Sequence, residues 1–138
     1  MKILTALIAM ISLSAPPTAK QDPFAGLVMP SQFYKRLAQC ETASNVNHST
    51  RSYTGMFGIY RGTWKAFSHR SSAKGLTPFE QAQVVDKIAF YGHKERGRFQ
   101  PPVGLWGWGV VKSNCMDLQG IICRSKKPIV QSQKRNCK

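Results

Sequence analysis

The sequence predicts a mainly α fold of the α+β kind: a compact helical body with a small irregular hairpin or loop region. Three observations lead there. Phe33, Leu37 and Cys40 recur at i, i+4 and i+7, the stripe of an amphipathic helix. Thr77-Pro78-Phe79-Glu80 combines a capping threonine, proline at the first helical position and glutamate at the third, just before an apolar run. Between these two segments, residues 42–54 (TASNVNHSTRSYT) are polar and turn-rich, and Gly55-Met-Phe-Gly-Ile-Tyr60 is apolar and glycine-punctuated.

The elements follow in order. Pro30-Ser31 opens the first helix, with Ser31 as its expected cap. Glu41 lies one turn beyond Leu37, at the edge of the buried stripe near the C-terminal end. Thr63 to His69 reads as a short helix carrying Trp64 and Phe67. After Thr77, residues Ala82, Val85, Ile88 and Ala89 form an apolar face until Gly92 can end the helix. Residues 97–109, rich in Gly and Pro with Trp106 and Trp108, suit a loop that lines something. The expected division is 1–19 as signal peptide, 20–30 as a lead-in linker, 31–116 as the domain and 117–138 as a basic, cysteine-containing tail.

Composition sets limits. The chain has 138 residues, 42% of them hydrophobic, enough for one domain with a true core. Twenty Lys and Arg stand against six Asp and Glu, a formal net charge of +14, which points to a polyanionic partner. From residue 118 onward there are Lys and Arg but no acid. Neither Gly-x-Gly-x-x-Gly nor Gly-x-x-x-x-Gly-Lys-[Ser/Thr] occurs, and there is no RNA-binding aromatic signature, so nucleic acid is not the expected partner.

The amino terminus has Lys2, an apolar run from Ile3 to Ala15 and small residues after it, the pattern of a secretory signal. The run is shorter than the ~20 residues of a spanning helix. Export with cleavage near Ala19 is expected, and hence no stable membrane insertion; the alternative is an uncleaved anchor. Cys40, Cys115, Cys123 and Cys137 agree with an exported setting: an even count suggests two disulfides, with three pairings open. No Cys-x-x-Cys or His-x-x-x-His pair occurs and His48, His69 and His93 are scattered, so no metal is expected.

Carboxylate chemistry has six candidates. Glu80 is explained by the capping box. Asp86 and Glu95 sit among Lys87, Lys94 and Arg96 and read as solvated ion-pair members. Asp22 lies in the lead-in, and Asp117 follows Cys115 with no local feature to perturb it. Glu41 differs, because a carboxyl held against apolar surface keeps its proton to higher pH. That is the property a glycosidase acid needs.

A family resemblance rests on those residues. Leu37-Ala-Gln-Cys-Glu41-Thr-Ala-Ser-Asn45 resembles the Leu-Ala-x-Cys-Glu-Ser-Gly-Gly-Asn segment of resuscitation-promoting factors and related transglycosylase-like domains. Tyr53-Thr-Gly55-Met-Phe-Gly-Ile-Tyr-Arg-Gly-Thr63-Trp64 resembles their Tyr-x-Gly-x-x-Gln-Phe-x-x-x-Thr-Trp. Thr77-Pro-Phe-Glu-Gln81-Ala82 is similar to their Ser-Arg-Glu-Gln-Gln helix start. Gly104-Leu-Trp106-Gly-Trp108 followed by Cys115 is similar to their terminal Gly-Trp-Gly-x-Trp and cysteine. The four pieces fall in order over residues 31–116. Two departures stand out: Gly58 replaces the family's glutamine, and Thr42-Ala43-Ser44 replaces Ser-Gly-Gly.

The resemblance implies a lysozyme-like fold with a saccharide cleft, cleaving the β-1,4 bond between N-acetylmuramic acid and N-acetylglucosamine with Glu41 as general acid and no cofactor. It implies a Cys40–Cys115 bridge, which leaves Cys123 and Cys137 for a second. Asn45, Tyr53, Met56, Phe57, Trp64 and Trp106 are the candidate substrate-binding residues. Hydrolysing glycosidases place two carboxyls about 5 Å or about 6.5–9.5 Å apart, and the loop after Glu41 offers no second acid. The expected reaction is therefore lytic transglycosylation of peptidoglycan glycan strands; hydrolysis would need a distant acid such as Asp86 in the cleft. The basic tail would hold anionic wall polymers. Expected settings are the periplasm, cell wall or exterior, including a bacteriophage or secretion apparatus that opens the wall locally. The rival reading is a non-catalytic, exported, basic protein that binds a wall polymer or other polyanion.

Overall fold

A computed structural model describes residues 20–90, 107–109, 115–126 and 137. The expected signal segment, Trp106, Glu95, Gly92 and half of the basic tail lie outside them. The described residues form an α-dominated fold with one small sheet: α1 (Ser31–Thr42), β1 (Tyr53–Thr54), β2 (Ile59–Tyr60), α2 (Arg61–Phe67), α3 (Pro78–Ala89) and α4 (Leu118–Arg124).

In α1, Phe33, Tyr34, Leu37 and Ala38 are buried, on the face their spacing predicts. Ser31 does not cap it. Pro30 holds the cap position in extended backbone, and the Ser31 hydroxyl bonds the Asp22 carboxylate instead. That bond, with the Phe24 N–H and the Lys35 ammonium, holds Asp22 below the ordinary carboxylate range.

At its other end α1 closes through two non-glycine residues in left-handed backbone, Ala43 at φ 52° and Ser44 at φ 63°. Their N–H groups donate to Gln39 O at 3.2 Å and Ala38 O at 3.0 Å, so the last carbonyls of α1 are satisfied. An L-residue here costs about 1–2 kcal/mol of backbone strain, and these two positions match the Gly-Gly of the resembling segment. Ala43 is exposed. Ala43→Gly is therefore expected to stabilise the protein by about 0.5–1 kcal/mol, the strain relief exceeding the added chain entropy. Thermal unfolding reads this as a rise of a few degrees; a fall in Tm would refute the strain argument.

The hairpin is antiparallel, pairing Tyr53 with Tyr60 and Thr54 with Ile59. Period-two alternation puts Thr54 and Ile59 inside and both tyrosines outside. Their rings meet edge to face, 6.1 Å apart. The short helix begins and ends two residues earlier than its sequence suggests, because β2 runs directly into it. α3 starts as predicted: the Thr77 hydroxyl accepts from Glu80 N–H, and the Glu80 carboxylate accepts from Thr77 N–H at 2.8 Å. Those bonds hold Glu80 below the ordinary carboxylate range.

Two expected boundaries are corrected. The lead-in is not a linker, since Phe24, Leu27 and Met29 are buried in the same core as α1 and α3. The reason is a polar clasp: the Tyr34 hydroxyl donates to Asp86 and accepts from Met29 N–H at 3.0 Å, and Val28 N–H donates to Asp86 at 3.2 Å. Burial, reinforced by the facing Asp86 charge, raises the Tyr34 hydroxyl far above its usual value. The C-terminal region is likewise not all tail, because Leu118, Ile121 and Ile122 of α4 join the core. Asp117 accepts from Gly120 N–H at 2.8 Å at the start of α4 and pairs with Arg124 at 3.7 Å.

Two disulfides, Cys40–Cys115 and Cys123–Cys137, close the structure. Among the described residues no helix is long and apolar enough to cross a membrane. Both facts are compatible with an exported protein.

Candidate functional site

The Glu41 carboxyl lies on the last turn of α1, half-buried, in a groove of about 270 Å³ lined also by His48, Tyr53, Gly58, Gly107, Trp108 and Gly109. The groove continues into a second hollow of about 240 Å³, which shares Tyr53, Gly58, Gly107 and Trp108 and adds Tyr60, Thr63 and Ile88. Burial raises the Glu41 carboxyl above its ordinary value of 4.5.

What faces Glu41 is the hairpin turn, held by side chains from three directions. The Thr42 hydroxyl of α1 donates to Met56 O at 2.7 Å. Gln81 of α3 accepts from Met56 N–H at 2.8 Å. The Trp108 indole N–H donates to Phe57 O at 2.8 Å. These bonds place Gly58, at φ 56°, so close that a β-carbon there would stand 3.1 Å from Glu41 Oε2. The departure from the family's glutamine thus falls directly beside the carboxyl. A larger residue at this position would have to adopt left-handed backbone and push against Glu41.

Gln81 is the residue that sequence reasoning undervalued. It is completely buried, and besides Met56 it serves Val46 O and Leu76 O, each at 3.1 Å. Gln81→Leu keeps the volume but strands one N–H and two carbonyls, at about 1–3 kcal/mol for each buried group left unpaired. We expect a loss of at least about 3 kcal/mol in urea unfolding. A loss under about 1 kcal/mol would show that water replaces the amide.

The expected site residues divide. Glu41 and Tyr53 come together in the groove. Asn45 is exposed in the turn after α1, where its side chain accepts from Asn47 N–H at 3.1 Å, and it does not line the groove. Met56, Phe57 and Trp64 are corrected: all three side chains are buried in the core and cannot meet a ligand there. Met56 and Phe57, in the hairpin turn, serve the site through backbone groups instead. Trp106 lies outside the described residues, and Trp108 occupies the groove wall. Its signal was present in the Gly-rich 104–108 stretch, but spacing alone does not say which tryptophan turns inward.

Asp86 is corrected too. It is half-buried and accepts from the Tyr34 hydroxyl and the Val28 N–H in the clasp, and it lines a different hollow with Val28, Phe79 and Lys87. Among the described acids, Asp22, Glu80, Asp86 and Asp117 all accept hydrogen bonds from the fold. Glu41 accepts none from described residues, and it is the one carboxyl among the described residues that line the groove.

The described residues thus form an α-dominated, twice-bridged fold in which Glu41 is the one carboxyl they place in the groove. The chain matches no family model, and neither a curated protein nor a solved structure matches it.

Proposed function

We propose that the protein is a peptidoglycan-cleaving enzyme of lysozyme-like fold, acting as a lytic transglycosylase, with Glu41 as its general acid and base. One observation carries the reading: among the described residues every other carboxyl is engaged in holding the fold, and Glu41 alone lies in a groove with no hydrogen bond from them.

Protonated Glu41 donates to the glycosidic oxygen as the bond to the muramyl C1 breaks. The same carboxylate then takes the proton of the muramyl 6-hydroxyl, which closes on C1 to give an anhydro sugar. A raised carboxyl affinity for the proton supports the first step, and a groove in which the described residues place one carboxyl supports ring closure over attack by water. Tyr53 and Tyr60, exposed and paired at the groove rim, supply flat faces for sugar rings. The disulfides suit action outside the reducing cytosol.

Digestion of purified peptidoglycan followed by mass spectrometry tests the reaction. Muramyl products one water lighter than hydrolytic ones are expected. Products of full hydrolytic mass would assign hydrolysis, and no products at all would favour the polyanion-binding alternative.

A further inference from the structure

Beside the Glu41 groove lies a larger cavity of about 400 Å³, lined by residues that include Asn47, His48, Ser49, Arg61, Ser72 and Lys74. His48 lines both, so the two are neighbours. Among the described residues no acid lines this cavity, and neither Arg61 nor Lys74 is ion-paired. The guanidinium is already fixed: Arg61 Nε and Nη2 donate to Thr50 O at 3.1 and 3.0 Å, and Nη2 donates to Ser49 Oγ at 2.8 Å. These partners are neutral, so they immobilise the cation without cancelling its charge. A cation held in place in this way loses little entropy when it meets an anion.

We infer that this cavity is a carboxylate-binding subsite for an acidic peptide substituent of the glycan. The inference rests on the wall-glycan reading of the Glu41 groove, since such peptides hang from the muramyl unit next to the cleaved bond. A carboxylate fits the donor set better than a phosphodiester. Two of the three Arg61 nitrogens are committed to the loop, which leaves Nη1 and the Lys74 ammonium as the charged donors. The hydroxyls of Ser49 and Ser72 and the amide of Asn47 complete a polar lining.

Calorimetric titration of the full chain tests this without turnover. The probes are a short peptide with free side-chain and terminal carboxylates, the same peptide with both amidated, and a glycerol-phosphate oligomer. Lys74 is exposed, and among the described residues only its backbone is hydrogen-bonded, so Lys74→Gln leaves the fold intact. The acidic peptide is expected to bind, to weaken about tenfold or more in Lys74→Gln, and to recover in Lys74→Arg. The amidated peptide should bind wild type about tenfold or more weakly. Equal binding of the two peptides would overturn the proposal, as would an unchanged Kd in Lys74→Gln. So would a glycerol-phosphate oligomer that binds more tightly and is the probe Lys74→Gln loses. Because binding is read without bond cleavage, failure here with intact wall lysis sinks the subsite alone. Absence of lysis with this binding intact sinks only the catalytic reading.

Discussion

Glu41→Gln is expected to lose at least about a hundredfold in clearing purified peptidoglycan, because proton transfer by one positioned carboxyl contributes roughly that factor or more. The same variant is expected to be more stable than wild type at neutral pH. The sign follows from linkage. Burial raises the folded-state affinity of Glu41 for its proton above the ordinary 4.5, so the folded protein binds more protons than the unfolded chain. The stability this group contributes is fully present below 4.5 and is lost as pH rises through the raised folded value. Glutamine does not ionise and avoids that loss. Unfolding in urea from acid to neutral pH should therefore show the two proteins diverging as pH rises, with the variant ahead. Stability gained with activity lost is the signature of a functional group placed against the preference of the fold. Retained clearing by Glu41→Gln would remove the catalytic reading. A variant less stable than wild type at neutral pH would mean that Glu41 is structural after all.

Loss of the Cys40–Cys115 bridge is expected to destabilise the fold strongly. The bridge spans 75 residues of sequence, and in the chain-entropy account closing a loop of that size stabilises the fold by about 4.5 kcal/mol. The paired Cys40→Ser, Cys115→Ser variant should show that deficit by urea unfolding under oxidising conditions. The Cys123–Cys137 bridge, 14 residues apart, should cost about 3 kcal/mol when removed in the same way. The order matters more than the values. The first bridge also fixes the residue before Glu41 and joins α1 to the segment entering α4, where Arg36 Nε donates to Cys115 O at 3.0 Å. Wall clearing should fall further with the first pair than with the second. A second-pair variant that is the less stable of the two would refute the loop-length argument.

Much of the fold was legible because its signals are local. The stripe of α1 and the capping box of α3 are each written within a dozen residues, and both helices form where those signals stand. The position of Glu41 at the edge of a buried stripe was legible for the same reason. Ser31 shows the limit even of local reading: it is a good cap by type, but extended Pro30 takes the cap and Asp22 takes the hydroxyl. The lead-in misled because a ten-residue stretch with turn formers reads as linker until Phe24, Leu27 and Met29 find a core to enter.

The sequence by itself therefore determined the helical class, the candidate acid and the four cysteines, since periodicity, capping chemistry and residue type need no partner. Tertiary structure decided the rest of the site. Gln81 reaches Met56 across 25 positions, Trp108 reaches Phe57 across 51, and Val28 reaches Asp86 across 58. No local pattern encodes such contacts, because each depends on where two separately formed elements come to rest. That packing buried Trp64 rather than exposing it, turned Trp108 to the groove wall and committed Asp86 to the clasp. It left Gly58 against Glu41, whose carboxyl accepts no hydrogen bond from the described residues.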